Sequence, residues 1–400
     1  MSLDEVQSPL ERAPHENGLY LIVWDDGRPV GYHVLVPSEL PVPAAASSVL
    51  IADAARAHLA SAAHEASVHS PVVRTTGDRP SVSVVVCTRD RPSDLRRCLA
   101  SLNACEPAPA EIIVVDNAPS TDATSAVVRE FPDVRYISEP RPGLSHARNA
   151  GARAASGEII AYTDDDVEVR PDWIGALVAP FADLSVACVT GIVMPASLAS
   201  PAACIFEFDV GGFGRELAVR RFDAGFLRRK WWQSPDVWQI GAGANMAIRR
   251  SALATVGLFD TRLGAGASGC SEDSELWFRL LRAGFVCHYD PGVVVFHHHR
   301  AELGALHRQV RDYTRGHVVA LFVQFGQDRH VRHLARAFAV MPLYYVRQGL
   351  RAWRHGDRER LALVGHQLKG CIAGPIHALR LLRPYNRPRL VQTDDSGVSA

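Results

Sequence analysis

The chain has 400 residues, of which 47% are apolar and 22% charged, and its formal net charge is zero. This composition is that of a folded globular protein, and it excludes a disordered chain or one that coats nucleic acid through excess positive charge. The length accommodates one large α/β domain with smaller additions at its ends.

The N-terminal part, residues 1–78, predicts a small β-containing module followed by a linker. Residues 19–36 predict a hairpin, because two β-rich runs flank the turn-forming residues Asp25-Asp26-Gly27. The alanine-rich residues 49–66 favour a helix, and the polar residues 75–80 favour a linker.

After the linker, the pattern alternates between buried strands and amphipathic helices. The predicted strands are Val82–Cys87, Glu111–Val115, Val134–Ser138 and Glu158–Thr163. The predicted helices are Pro92–Ala104, Thr121–Glu130 and Ser145–Ala155. Three successive strand–helix units imply a parallel sheet with right-handed crossovers.

Polar clusters follow three of these strands: Thr88-Arg89-Asp90, Asp116-Asn117 and Asp164-Asp165-Asp166. Ligands bind at the carboxyl ends of parallel strands, so we expect the three clusters to line one crevice. Three consecutive carboxylates repel one another in a cleft unless a cation offsets their charge. Magnesium or manganese, completed by phosphate oxygens, suits such a strand end, while a solvated acidic turn is the structural alternative.

Three more features could carry chemistry. Glu272-Asp273 begins a periodic helical run, with Ser271 as its N-cap, although acids there also favour the helix dipole without any catalytic role. The residues His297-His298-His299 end a strand-like run, and alternation places the first and third on one face. Arg148 lies on the helix before the aspartates, where its guanidinium could bind a diphosphate.

Together these motifs resemble the inverting family 2 glycosyltransferases with the GT-A fold, over about residues 81–300. The matching segments are VSVVVCTRDRPSDLRRCLASL, EIIVVDNAPSTDAT, RPGLSHARNAGARAASGEIIAYTDDDV, GAGANMAIRRSAL, SEDSELWFRLLRAGF and VVVFHHHR. The resemblance implies a GT-A, Rossmann-like α/β domain over residues 79–300, with a mostly parallel sheet flanked by helices.

The resemblance also implies site roles. Contacts to the nucleotide-sugar donor are implied for Thr88, Arg89, Asp116, Arg148, Asp164 and Asp165. Asp166 and His297 would hold a divalent metal, Mn²⁺ or Mg²⁺, and Asp273 would be the general base. The expected reaction is a single inverting displacement from a nucleoside-diphosphate sugar, with UDP as the expected nucleotide, onto an acceptor hydroxyl.

The chain departs from the family pattern at Cys87-Thr88-Arg89-Asp90, where proline, threonine, tyrosine and asparagine are usual. The tyrosine that stacks on the base is therefore replaced, and Arg89 can stack instead.

Three other functional classes are weighed against this one. The first is an NAD-dependent oxidoreductase, because residues 264–269 match the dinucleotide-binding pattern G-x-G-x-x-G. However, no convincing buried strand precedes these residues. A nucleotidyltransferase would carry a glycine-rich loop after the first strand, and residues 87–94 contain no glycine. A non-catalytic sugar-nucleotide binding module would be expected to lack Asp166, Asp273 or His297.

The remaining expectations concern partners and location. Residues 197–239 include Trp231, Trp232 and Trp238 and could form a wall for a carbohydrate, lipid-linked or small-molecule acceptor. Unpaired cysteines and an acidic N-terminus without an apolar core predict a cytoplasmic protein without a secretory signal, and nucleic acid is not expected as a partner.

Residues 301–400 predict a basic helical extension with a disordered tail. Residues 300–390 contain seventeen Arg/Lys and five Asp/Glu, interleaved with apolar residues. This pattern favours either helices packed on the catalytic domain with a solvated basic face, or peripheral contact with the inner face of the cell membrane.

Overall fold

The computed structural model describes residues 18–35, 37–43, 46–53, 55–56, 79–214, 216–228, 233–381, 385 and 387–390. The described residues do not include positions 75–78 of the predicted linker. They also do not include residues 391–400, at the end of the predicted C-terminal extension with its disordered tail. Trp231 and Trp232 of the predicted acceptor wall also lie outside them.

The predicted N-terminal hairpin is confirmed. Strands β1 (Leu19–Asp25) and β2 (Arg28–Leu35) pair antiparallel, and residues 46–53 form a helix, α1. Asp26 and Gly27 have φ values of 42° and 74°, the positive values that a two-residue hairpin turn requires. A small core joins the three elements, formed by Leu21, Val23, Val30, Leu35 and Ile51.

The main sheet has nine strands. They are β3 (Val82–Thr88), β4 (Glu111–Asn117), β5 (Val134–Glu139), β6 (Ile159–Asp164), β7 (Val167–Val169), β8 (Val186–Pro195), β9 (Arg220–Phe222), β10 (Asn245–Arg249) and β11 (Val286–His297). The order is β5-β4-β3-β6-β10-β8-β11-β7, with β9 also paired to β11. The first four strands in this order are parallel, as are β8 and β11, whereas β10, β7 and β9 pair antiparallel. The predicted GT-A-like α/β architecture is confirmed.

Helices cover both faces of this sheet: α2 (Pro92–Asn103), α3 (Ala123–Val128), α4 (Leu144–Ala154), α5 (Trp173–Val178), α6 (Pro201–Ile205), α7 (Arg250–Val256) and α8 (Glu272–Arg282). Alternate residues of β3 enter different cores. Val84 and Val86 pack with Leu99 of α2, and Val85 packs with Ala147 of α4. Because both faces are buried, the strand sequences are continuous apolar runs.

The C-terminal region is helical, as predicted, and consists of α9 (Leu303–Asp328), α10 (Arg332–Ala335), a π-helical turn at 336–340, α11 (Met341–His355) and α12 (Arg358–Arg380). Helices α9 and α12 approach closely at glycines: a Cβ on Gly374 would lie 2.5 Å from Val318 Cβ. Beyond α12, Arg387 returns to the catalytic region and pairs with Glu275 at 2.8 Å. No helix in the described part of the chain has the length and hydropathy needed to cross a membrane.

Gly151 of α4 tests the packing of this helix on the sheet. A Cβ there would lie 2.3 Å from Val85 Cγ1 of β3, so we expect Gly151→Ala to lower the free energy of unfolding by about 1–3 kcal/mol through overpacking. Gly326 of α9 is the matched control, because a Cβ at this position meets no atom within 4 Å. Gly326→Ala should raise stability by about 0.4–1 kcal/mol. Urea unfolding of both variants measures the difference, and equal effects would contradict the packing.

Candidate active site

A cavity of about 1320 Å³ lies at the carboxyl ends of β3, β4 and β6. Eight of the nine predicted site residues line it: Thr88, Arg89, Arg148, Asp164, Asp165, Asp166, Asp273 and His297. The parallel register produces this arrangement, since Thr88 pairs with Asp116 across β3 and β4, and Cys87 with Asp164 across β3 and β6. The expectation of one shared crevice therefore agrees with the geometry.

The acidic cluster is held by hydrogen bonds from β3 and the start of α2. Thr88 donates its hydroxyl to Asp165 Oδ2 at 2.7 Å. Arg91 Nη1 donates to Asp165 Oδ1 at 3.1 Å and to Asp166 Oδ2 at 2.8 Å. Burial, together with the neighbouring Asp166 carboxylate, raises the pKa of Asp165 to about 7. The guanidinium of Arg91 thus offsets the charge of two of the three aspartates.

Arg91 was not singled out in the sequence. Its position contained a usable signal, because it directly precedes Pro92, the first residue of α2, and follows β3 closely. A basic residue at that turn lies at the same sheet edge as the acids that need a counter-charge.

His297 is in contact with the last aspartate. Its Nε2 lies 3.2 Å from Asp166 Oδ1, and its Nδ1 lies 2.9 Å from Nδ1 of His299. The other ring nitrogen of His299 lies 2.7 Å from Glu207 Oε1, in a buried pair. Burial lowers the pKa of His297, but the hydrogen bond and charge of Asp166 raise it above its usual value overall. Conversely, burial raises the pKa of Asp166, but His297 and Arg91 hold it well below the usual range.

A carboxylate oxygen and an imidazole nitrogen this close could together hold a divalent metal ion, with the remaining positions left to water or phosphate oxygens. Among the residues that the structure describes, no group of three or more His, Cys, Asp or Glu side chains is arranged around a common metal position. Any ion held here would therefore draw most of its ligands from elsewhere, which suits an ion that binds together with a diphosphate. His298 is directed away, toward Glu168.

Arg148 links two acidic motifs in the interior. It is only 2% exposed, and it donates from Nη1 to Glu272 Oε1 at 2.6 Å and from Nη2 to Asp164 Oδ1 at 3.2 Å. Burial lowers its pKa, but the two carboxylates raise it overall, so the guanidinium stays charged. These contacts engage both terminal nitrogens, and the predicted contact of Arg148 with a diphosphate stays a prediction.

Asp273 lies at the start of α8, as the sequence predicted for Glu272-Asp273. Its Oδ2 accepts a hydrogen bond from the Gly243 N–H at 2.9 Å, and its Oδ1 accepts one from the Ser274 N–H at 2.6 Å. Ser271 occupies the N-cap position, but its φ of 69° leaves its side chain without a capping bond, and its hydroxyl contacts Cys270 Sγ. The Asp273 carboxylate is thus oriented by backbone groups.

The side chains predicted to contact the nucleotide differ in their exposure. Asp116 is fully buried beside the cavity, where Tyr136 donates to its Oδ2 at 3.0 Å, and its Oδ1 has no partner at hydrogen-bond distance within the described structure. Burial raises the pKa of this carboxyl. The following residue, Asn117, lines the cavity and accepts from the Gly143 N–H at 2.8 Å. Arg89 is largely solvent-exposed at the cavity wall.

The glycines at 264, 266 and 269 form a loop between α7 and α8, and no strand leads into them. Their φ values of 97°, 82° and 126° are ones that side-chain-bearing residues rarely adopt. A Cβ on Gly269 would lie 2.1 Å from the Asp312 carbonyl oxygen of α9, so the loop packs directly against that helix. The arrangement lacks the strand of a dinucleotide-binding fingerprint.

Two aromatic side chains of the predicted acceptor segment line the cavity. Phe213 packs against the His297 ring at a centroid distance of 4.9 Å, and Trp238 is exposed. Part of this segment therefore lines the same cavity as the acidic cluster.

Residues 83–257 match the family model described as "Glycosyl transferase family 2". The chain carries a family 2 glycosyltransferase domain. It is 29% identical over 255 residues to "Pre-mycofactocin glycosyltransferase" of Mycobacterium tuberculosis, which is 63% of this chain and 50% of that relative. It is also 29% identical over 216 residues to "Succinoglycan biosynthesis protein ExoM" of Rhizobium meliloti, 52% of this chain and 64% of that relative.

The chain spans about half the length of the mycobacterial relative. A solved structure, "Mannosyltransferase PcManGT from Pyrobaculum calidifontis in complex with GDP-Man and Mn2+", aligns with a TM-score of 0.49 and 21% identity, covering 80% of this chain and 94% of that chain. The family assignment does not depend on this alignment.

The buried Arg148–Glu272 pair yields a stability prediction. Glu272→Gln removes one carboxylate from a buried ion pair, and burial raises the pKa of this carboxyl to about 7. At a pH above that value, where Glu272 is ionised, we expect the substitution to lower the free energy of unfolding by about 3–5 kcal/mol. Glu130→Gln is the matched control, since Arg96 and Glu130 form a pair of the same 2.6 Å length that is about half-exposed. The control should cost at most about 1 kcal/mol. Chemical denaturation of both variants at the same pH measures the two free energies of unfolding. Similar losses of stability in the two variants would mean that burial does not strengthen the Arg148–Glu272 pair.

Proposed function

We propose that this family 2 domain transfers a glycosyl group from a nucleoside-diphosphate sugar to an acceptor hydroxyl. The observation that carries the proposal is the convergence of Asp166, His297 and Asp273 on one cavity at the carboxyl edge of the sheet, in a chain whose residues 83–257 match the family. One wall can hold a metal-bound diphosphate, and another presents a carboxylate to an incoming hydroxyl.

The donor nucleotide lies, in this proposal, over the ends of β3 and β4. Thr88, Arg89 and Asp116 are at this end, and the exposed guanidinium of Arg89 can stack on a base. The Asp116 carboxylate is the proposed acceptor for a base N–H. Uracil carries such a donor, and UDP is the proposed nucleotide. Asp164 and Asp165 then lie beside the ribose and diphosphate.

The proposed metal is Mn²⁺ or Mg²⁺, held by Asp166 and His297. When bound, it supplies positive charge to the diphosphate and so stabilises the leaving group. Asp166 suits this role because its low pKa keeps it ionised. Arg91 already contacts Asp166, so a metal ion must share or displace that guanidinium.

Asp273 is the proposed general base. The acceptor hydroxyl gives its proton to the Asp273 carboxylate while its oxygen bonds to the anomeric carbon, and the bond from that carbon to the diphosphate oxygen breaks. One displacement inverts the anomeric configuration. The Gly243 N–H, at 2.9 Å from Oδ2, holds the carboxylate in place for this transfer.

The acceptor is proposed to be a carbohydrate, free or lipid-linked, or a small molecule, met in the cytoplasm. The similarity to a succinoglycan biosynthesis protein supports the carbohydrate class. The exposed Trp238 in the cavity wall is suited to stacking on a sugar ring.

The donor can be identified by a thermal-shift screen of UDP-, GDP- and dTDP-sugars with Mn²⁺ or Mg²⁺. A ligand that binds the folded state raises the unfolding temperature by an amount that increases with its affinity and concentration. The proposal expects a metal-dependent shift with one nucleotide class, and UDP-sugars should give the largest. The absence of a shift with every donor would contradict nucleotide-sugar binding.

Asp273→Asn tests the base. The substitution keeps volume but removes proton acceptance, so we expect transfer or donor hydrolysis to fall by about 10²–10⁴-fold, with donor affinity close to wild type. Release of nucleoside diphosphate measures the rate, and calorimetry measures binding. Asp312→Asn is the control, because Asp312 lines the same cavity outside the motifs and outside the candidate acceptor segment. Turnover retained in Asp273→Asn would exclude this base.

Asp166→Ala and His297→Ala test the metal site. Both should weaken metal-dependent donor binding, Asp166→Ala more strongly because it removes a charged ligand, and Asp312→Ala should not. Titration calorimetry with and without EDTA measures the effect. Donor affinity that is indifferent to EDTA and to both substitutions would show that the metal lies elsewhere.

A further inference from the structure

Helix α11 exposes a continuous apolar stripe. Leu343, Val346, Leu350 and Trp353 follow one another at intervals of three, four and three residues, which places them on one helix face. All four are exposed, Trp353 by 70%. Phe338, in the π-helical turn just before α11, is exposed by 60%. Apolar side chains exposed as a contiguous face, and not singly, mark a surface that contacts a partner.

Basic residues flank this stripe. Arg347, Arg351 and Arg354 are exposed on α11, each within one turn of a stripe residue. None of the three forms an ion pair with a residue of the described structure. Residues 336–355 contain four arginines and neither Asp nor Glu. The face therefore combines unpaired positive charge with exposed apolar area.

The start of this helix reaches the candidate active-site cavity. Tyr344 of α11 and Val340 of the preceding π-helical turn are both exposed, and both line the cavity that contains Asp273. The stripe and part of the cavity lining therefore belong to the same segment of the chain.

We propose that α11 docks on the surface of an anionic lipid bilayer. The stripe of Leu343, Val346, Leu350 and Trp353 enters the boundary between headgroups and acyl chains, and the three arginines contact anionic headgroups. The positive charge of this face favours an anionic bilayer over a second copy of the chain. In a symmetric dimer through this face, the arginines of both copies would lie close together and repel one another. The docking does not depend on the proposed reaction.

Co-sedimentation of the full chain with vesicles tests the proposal in the absence of any donor. Phosphatidylcholine vesicles with phosphatidylglycerol should bind the protein, those without it should not, and added salt should weaken binding. The double variant Leu350→Glu/Trp353→Glu should lose binding. Leu184→Glu is the matched control, because Leu184 is 68% exposed outside this face. Unchanged thermal unfolding of each variant confirms folding.

The contribution of the arginines to vesicle binding is tested by comparing variants that reverse their charge with variants that keep it. Arg347→Glu/Arg351→Glu should reduce partitioning more than about ten-fold, since each basic residue at an anionic surface contributes about five-fold. Arg347→Lys/Arg351→Lys should retain it.

Three outcomes would overturn the proposal: equal recovery with neutral and anionic vesicles, an equal loss in Leu184→Glu, or a dimer in solution that Leu350→Glu/Trp353→Glu converts to a monomer. Vesicle binding by Asp273→Asn at the wild-type level, with its transfer lost, would separate docking from catalysis.

Discussion

The buried guanidinium of Arg148 is the interaction on which the site geometry depends. It brings a positive charge from α4 to the half-buried carboxylate of Asp164 at the end of β6 and to the buried carboxylate of Glu272 at the start of α8, which would otherwise lack compensation. The loop before β10 closes against it: a Cβ on Gly243 would lie 2.8 Å from its terminal nitrogens. Because the N–H of Gly243 also holds Asp273, the position of the proposed base follows from the packing around this arginine.

A second arginine balances charge on the other side of the cavity. Arg91 bridges Asp165 and Asp166, and His297 contacts the remaining oxygen of Asp166. The cluster is therefore compensated by protein groups alone, and a metal ion must compete with Arg91 for Asp166. In the proposed reaction, a metal ion at Asp166 would change this charge balance, and an anionic diphosphate would offset the added positive charge.

Much of the parallel half of the sheet could be predicted from the sequence. The predicted strands Val82–Cys87 and Val134–Ser138 each differ from the observed ones by a single residue at one end. For β3 the reason is burial on both faces, which makes the strand an uninterrupted apolar run. Because the carboxyl ends of parallel strands meet at one edge of the sheet, Thr88 and Asp164 could be predicted to line one crevice. The pairing of β10 between β6 and β8 was not predictable, because periodicity does not identify a strand's neighbours. The N-cap position of Ser271 was predictable, but its φ of 69°, which removes the capping bond, was not.

The sequence by itself determined the fold class, the acidic motif at the end of β6, the acids that begin α8 and the histidines that end β11. These are local patterns, set by residue type and by spacing along a strand or helix. Only the tertiary structure decided that Arg91 reaches two aspartates, that Arg148 joins Asp164 to Glu272, and that His297 faces Asp166 while His298 turns to Glu168. Each of these contacts joins residues distant in the chain, and charge compensation in a buried cavity depends on distances in space that no local pattern contains.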